Sequence, residues 1–75
     1  MKEILMTIAQ SLVEHPEDVT VTEVPGEDSM TLELRVNPED MGKVIGKQGR
    51  IAKAIRTVVK SVAVRKGQKV VVEII

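Results

Sequence analysis

Cysteine and all three aromatic residue types are missing from this 75-residue chain. Without cysteine, neither a disulfide nor a thiolate metal site can staple the fold, and a reducing cytoplasm is compatible with that. Without Phe, Tyr or Trp, the aromatic platforms on which RRM and single-strand-binding OB surfaces stack bases are excluded. Histidine occurs once, as His15 beside Pro16, and Ser11, Ser29 and Ser61 have no evident base partner in the sequence. Nucleophilic and acid–base catalysis therefore have little to work with, and the chain reads as a protein that is not an enzyme. The acidic cluster Glu14, Glu17 and Asp18 fits no EF-hand spacing and reads as a solvated negative face, so no metal or cofactor is implied. Long apolar runs are also missing. The stretch Ile4 to Val13 is broken by Thr7, Gln10 and Ser11 and is too short and polar for a membrane span or signal core. The expectation is a soluble, unexported, cytoplasmic protein with no membrane partner.

What is present is charge, sharply divided. Residues 1 to 40 hold ten acids and two bases, a balance of −8, whereas residues 41 to 75 hold nine bases and one acid, a balance of +8. The formal net charge of zero thus conceals a polarised surface whose basic half suits a polyanion. The alternative is a merely solvated, lysine-rich helix. At this length one small domain is expected, residues 1–75, with a core barely large enough to stand alone, which is a motive for self-association.

Periodicity supplies the fold. Ile4, Leu5, Ile8, Leu12 and Val13 recur at helical spacing and His15-Pro16 stops them, which predicts an amphipathic helix over 2–14. Val19 and Val21 alternate with threonines, and Met30, Leu32, Leu34 and Val36 alternate with Thr31, Glu33 and Arg35, two strands joined by a turn at Pro25-Gly26-Glu27-Asp28-Ser29. Asn37-Pro38 reads as N-cap and first helical residue of a short helix ending near Ile45, with Glu39 and Asp40 in its positive first turn. Ile51, Ile55, Val58, Val59 and Val62 mark one face of a second helix, Gly67 its stop, and Val70 to Ile75 a last strand. The order is α-β-β-α-α-β. Because a two-helix crossover separates the second and third strands, they should lie side by side and parallel, giving an α+β fold: a three-stranded mixed sheet covered on one face by three helices.

Between the second and third helices stands Val44-Ile45-Gly46-Lys47-Gln48-Gly49-Arg50. Two glycines flanking two polar residues let the backbone approach a ligand closely. The unpaired N–H groups expected where the following helix begins, at about Gly49 and Arg50, make an anion site, and Lys47 adds a mobile cation. The competing reading is conformational only: Gly46 ends one helix in a left-handed conformation and Gly49 caps the next.

In this order of elements, the Val-Ile-Gly-Lys-Gln-Gly-Arg segment resembles the GxxG loop of a type II KH domain. The whole chain is similar to the small stand-alone bacterial KH proteins of the KhpA (YlqC) family. The resemblance implies single-stranded RNA as ligand, its backbone clamped over about four nucleotides by Gly46, Lys47, Gln48 and Gly49. Lys43, Arg50 and Lys53 would add backbone contacts, with Val44, Ile45 and Ile51 as the apolar floor beneath the bases. It also implies a homodimer, pairing with a larger KH-containing protein (KhpB, also called Jag or EloR), and a regulatory or RNA-chaperone role linked to cell elongation and division. Two other classes remain open at this point: an adaptor whose KH fold mainly mediates protein contacts, and, less well supported, a helix-turn-helix binder of duplex DNA.

Overall fold

A computed structural model describes residues 1–75. It contains helix α1 (Lys2–Leu12), strands β1 (Thr20–Pro25) and β2 (Met30–Arg35), helices α2 (Met41–Ile45) and α3 (Arg50–Arg65), and strand β3 (Val70–Ile74). The sheet order is β1-β2-β3. β1 and β2 are antiparallel, with Val21 opposite Leu34, and β2 and β3 are parallel, with Leu32 beside Val72. This is the element order and mixed sheet expected from the periodicities, and the type II KH topology that the resemblance implies.

Alternation explains the layers. Val21, Leu32, Leu34, Val70 and Val72 turn inward and are buried, whereas Thr20, Thr22, Thr31, Glu33, Val71 and Glu73 lie on the open face. The inner residues meet Leu5 and Ala9 of α1, Val44 of α2, and Ile55, Val59 and Ala63 of α3 in one core of 13 buried residues. No helix is long and apolar enough to cross a membrane.

β3 ends at Ile74, one residue short of the expected Ile75, and three further differences from the periodicity stand out. α1 ends at Leu12 rather than 14, and Val13 is extended at φ −99°, ψ 163°. Proline disfavours helix in the residue before it, and the N–H groups of Glu14 and His15 bond to the Asp40 carboxylate instead of to the helix. The expected helix from Pro38 to Ile45 is split into a 3-10 turn, Pro38–Asp40, and α2. Asn37 caps that turn as anticipated, its side-chain oxygen accepting from the Glu39 N–H at 2.9 Å. β1 extends through Pro25, into the segment read as turn.

The end of α3 is defined by Gly67, at φ +69°. The Gly67 N–H donates to the Val64 carbonyl at 3.0 Å and the Gln68 N–H to that of Ala63 at 2.8 Å, the paired bonds of a Schellman stop. The chain then turns directly into β3, which lays the edge of the sheet alongside α3.

Candidate nucleic-acid interface

α2 and α3 are joined by a bend rather than a loop of any length. Gly46 sits at φ +74°, ψ 177°, Gln48 at φ +57°, ψ 24° and Gly49 at φ +73°, ψ 16°. Gly46 is therefore not a left-handed helix terminator. Its extended backbone of positive φ is open essentially only to glycine. A second constraint is steric, since a Cβ on Gly46 would lie 2.5 Å from Cγ1 of Ile51.

The polar groups of the bend sort themselves by register. The Gly46 N–H donates to the Gly42 carbonyl at 2.8 Å, the Gly49 N–H to that of Gly46 at 3.2 Å, and the Arg50 N–H to that of Lys47. The amide donors expected to be free at Gly49 and Arg50 are thus spent in closing a tight 3-10 turn. The next amides back along the bend, two residues earlier, are those of Lys47 and Gln48. Both residues are exposed, and the Arg50 guanidinium reaches back to Oε1 of Gln48 at 3.3 Å, holding a cation over the bend.

The apolar candidates separate in depth. Val44 is fully buried and belongs to the core, where it supports α2 from beneath. Ile51 is half-buried under Gly46, and Ile45 remains 37% exposed at the surface. The bases also divide. Lys43 is held between two carboxylates, 3.4 Å from Glu14 and 3.7 Å from Asp40. Lys47 has no acidic partner, and Lys53, one helical turn beyond Gly49, faces a groove.

That groove, about 390 Å³, runs between α3 and the edge strand β3 and is lined by Lys53, Arg56, Thr57, Lys60, Lys69 and Val70 to Val72. Its length is set by register: residues 53, 56, 57 and 60 repeat at helical spacing on one face of α3. The Arg56 Nε donates to the Val72 carbonyl at 3.2 Å, which ties the helix to the strand across the floor. Arg56, Lys60 and Lys69 were not among the site candidates. The signal that finds them is the spacing of 53, 56, 57 and 60, distinct from the core spacing of Ala52, Ile55, Val59 and Ala63. On another flank of α3, Ile51, Ala54, Ile55 and Val58 form an apolar cleft with Ile8 and Leu12 of α1, with Arg50 at its edge.

Asp40 lies in the first turn as expected and is 1% exposed. Burial pushes its carboxyl up, but N–H bonds from Glu14 and His15, with the nearby charges of His15 and Lys43, more than offset this and hold it below the ordinary aspartate value.

Comparison with known proteins identifies the family. A family model described as KhpA/KhpB, KH domain, matches residues 2–74. The chain belongs to the KhpA/KhpB KH-domain family. It is 71% identical over 75 residues to the RNA-binding protein KhpA of Clostridium perfringens, with both chains fully covered. It is 47% identical over 75 residues to that of Aquifex aeolicus, covering all of this chain and 95% of the other. Among solved structures, a variant of Aquifex aeolicus Era bound to GDP and AlF4- superposes with a TM-score of 0.66 at 24% identity, over 97% of this chain and 28% of that one. Era in complex with MgGDPNP and nucleotides 1506–1542 of 16S ribosomal RNA gives 0.61 at 24% identity, over the same shares. At that identity the likeness to Era is one of fold.

Proposed function

We propose that this chain binds single-stranded RNA, with the bend from Gly46 to Gly49 holding the sugar-phosphate backbone and the groove between α3 and β3 receiving the bases. The observation that carries the reading is the bend itself: two exposed residues between glycines of positive φ, directly before the helix whose turns line a basic groove with Lys53, Arg56 and Lys60. Anion-binding amides plus mobile cations suit phosphate, and an apolar strand edge suits unstacked bases. The KhpA relatives are named as RNA-binding proteins, which supports RNA as the ligand class.

Gly46, Lys47, Gln48 and Gly49 approach the backbone, Arg50 and Lys53 neutralise it, and Ile45 supplies apolar contact, with Ile51 seating Gly46 from beneath. Val44 and Lys43 act from behind, as support for α2. With no aromatic residue to stack on, a single domain binds weakly and with modest base preference. The role is binding rather than catalysis, in the cytoplasm, as a post-transcriptional or RNA-chaperone-type regulator serving cell elongation and division. A helix-turn-helix is disfavoured because α2 has only five residues and strands flank both helices.

The decisive measurement is RNA affinity against salt. The wild type should give a log K against log salt slope of about −2 to −3, as for three or four phosphates at about 0.7 each. The pair Lys47→Asp and Gln48→Asp should abolish binding with the circular dichroism and thermal midpoint nearly unchanged. Unchanged binding in that variant rejects the bend as the site, and a preference for duplex DNA over single strands restores the helix-turn-helix reading.

The adaptor reading has one observation in its favour, the apolar cleft between α1 and α3, where Val58 is 47% and Leu12 38% exposed. It accords with a homodimer and with pairing to a larger KH-containing protein such as KhpB. Light scattering and pull-down on the double Asp variant separate the two roles: partner binding that persists when RNA binding is lost assigns the cleft to protein and the bend to RNA.

A further inference from the structure

We propose that Asp40 and Lys43 form a brace that sets the position of the glycine bend, which makes Asp40 a positioning residue and commits Lys43 to the brace instead of to phosphate. The proposal rests on the reading that the bend holds RNA, and goes beyond it by assigning work to two residues that stand behind the site.

A buried carboxylate is costly unless fully satisfied. Asp40 stands at the N-cap of α2, where an aspartate ordinarily bonds the first N–H groups of its own helix, yet its side chain makes no such bond. Its oxygens instead accept from residues far away in the chain: Oδ1 from the Glu14 N–H at 3.2 Å and Oδ2 from the His15 N–H at 3.0 Å. Those two donors are available because α1 has already ended and Pro16 prevents the chain from continuing as helix. Lys43 closes the arrangement, its ammonium 3.7 Å from Asp40 and 3.4 Å from Glu14. Three segments, the exit of α1, the start of α2 and the middle of α2, are thereby locked together.

The consequence follows from length. α2 has five residues, far below what a helix needs to hold itself in water. Its orientation comes from what it touches: buried Val44 on one side and the Asp40 carboxylate at its start. Gly46 follows directly at its other end, so any loosening at Asp40 is delivered to the bend within little more than one turn. A bend that samples several orientations binds with an affinity reduced by the fraction in the competent one.

The test uses a fluorescein-labelled oligouridylate titrated into the full chain at several salt concentrations, with affinities referred to the folded fraction, and amide spectra of the RNA-free protein. Asp40→Asn should weaken binding about fivefold, as for a competent population reduced to about one-fifth, with the salt slope unchanged and the Gly46 to Gly49 amide signals displaced before RNA is added. Lys43→Met should weaken binding about twofold, again at constant slope. A slope smaller by about 0.7 in Lys43→Met shows that this lysine neutralises a phosphate and overturns the assignment. Wild-type affinity in both variants, with binding abolished in the Lys47→Asp, Gln48→Asp pair, overturns the brace and leaves the RNA site standing. Wild-type affinity in that pair removes the RNA site itself. If Asp40→Asn does not fold, the slope in Lys43→Met decides.

Discussion

The entry and the exit of the bend are written with the same residue and are held by different physics. At the entry, Gly46 is needed twice, for a backbone of φ +74°, ψ 177° and for the space that Ile51 fills beneath it. At the exit, Gly49 is left-handed at φ +73°, ψ 16°, but nothing lies within 4 Å of where its Cβ would stand. The first glycine is a packing requirement as well as a conformational one, and the second is conformational alone. A symmetric motif therefore hides an asymmetric joint: the entry is fixed against α3 by an isoleucine, and the exit is a free-standing turn that gives α3 its starting direction.

The sharpest way to break that contrast is Gly46→Ala. Strain at a glycine-only conformation and overpacking against Ile51 together should cost about 3 kcal/mol in a urea melt, and the loss should be shared with Ile51. In the Ile51→Ala background the Cγ1 and Cδ1 clashes are removed and only Cβ, at 3.0 Å, remains close, so a double-mutant cycle should return a coupling of about 1–2 kcal/mol. A cycle that closes to zero would mean that Ile51 does not seat the bend. Gly49→Ala, by contrast, should cost only about 1 kcal/mol, the price of a left-handed alanine, with no coupling to Ile51. Equal costs at the two positions would erase the distinction.

Why the fold was legible and part of the site was not can be read from individual residues. Strand alternation at Met30, Leu32, Leu34 and Val36 and the helical repeat at Ile51, Ile55 and Val59 are patterns of burial, and burial is what builds the sheet and its helical cover. The glycine pair was equally visible because only glycine takes the backbone angles seen at Gly46. Which amides remain free was not visible, since it depends on whether the junction closes as a 3-10 turn, a difference of one hydrogen-bond register that spacing does not encode. The burial of Asp40 was not visible for a related reason. Local chemistry places it in the first turn of a helix, and only the tertiary approach of Glu14 and His15 accounts for the burial of its carboxylate. Val44 was drawn into the groove because apolar spacing shows that a side chain is covered without showing by what. Arg56 and Lys60 line the groove through a crossover that brings β3 beside α3, and the helical spacing from Lys53 to Lys60 acquires meaning only once that edge is in place.

The smallest effect lies between the two glycines. Gln48 has φ +57°, ψ 24°, a left-handed conformation in a residue with a side chain, and that side chain accepts one exposed bond from Arg50. Gln48→Gly removes strain of about 1–2 kcal/mol and adds unfolded-state entropy of about 0.5–1 kcal/mol. The net should be a stabilisation of about 0.5 kcal/mol, seen as a rise of about 2–4 °C in the thermal midpoint. RNA affinity should stay within about twofold with the salt slope unchanged, because the contact proposed for this position is made by its backbone N–H, which glycine keeps. A large loss of affinity at constant slope would instead place the Gln48 side chain on the RNA, and the exit of the bend would then read bases as well as carry the backbone.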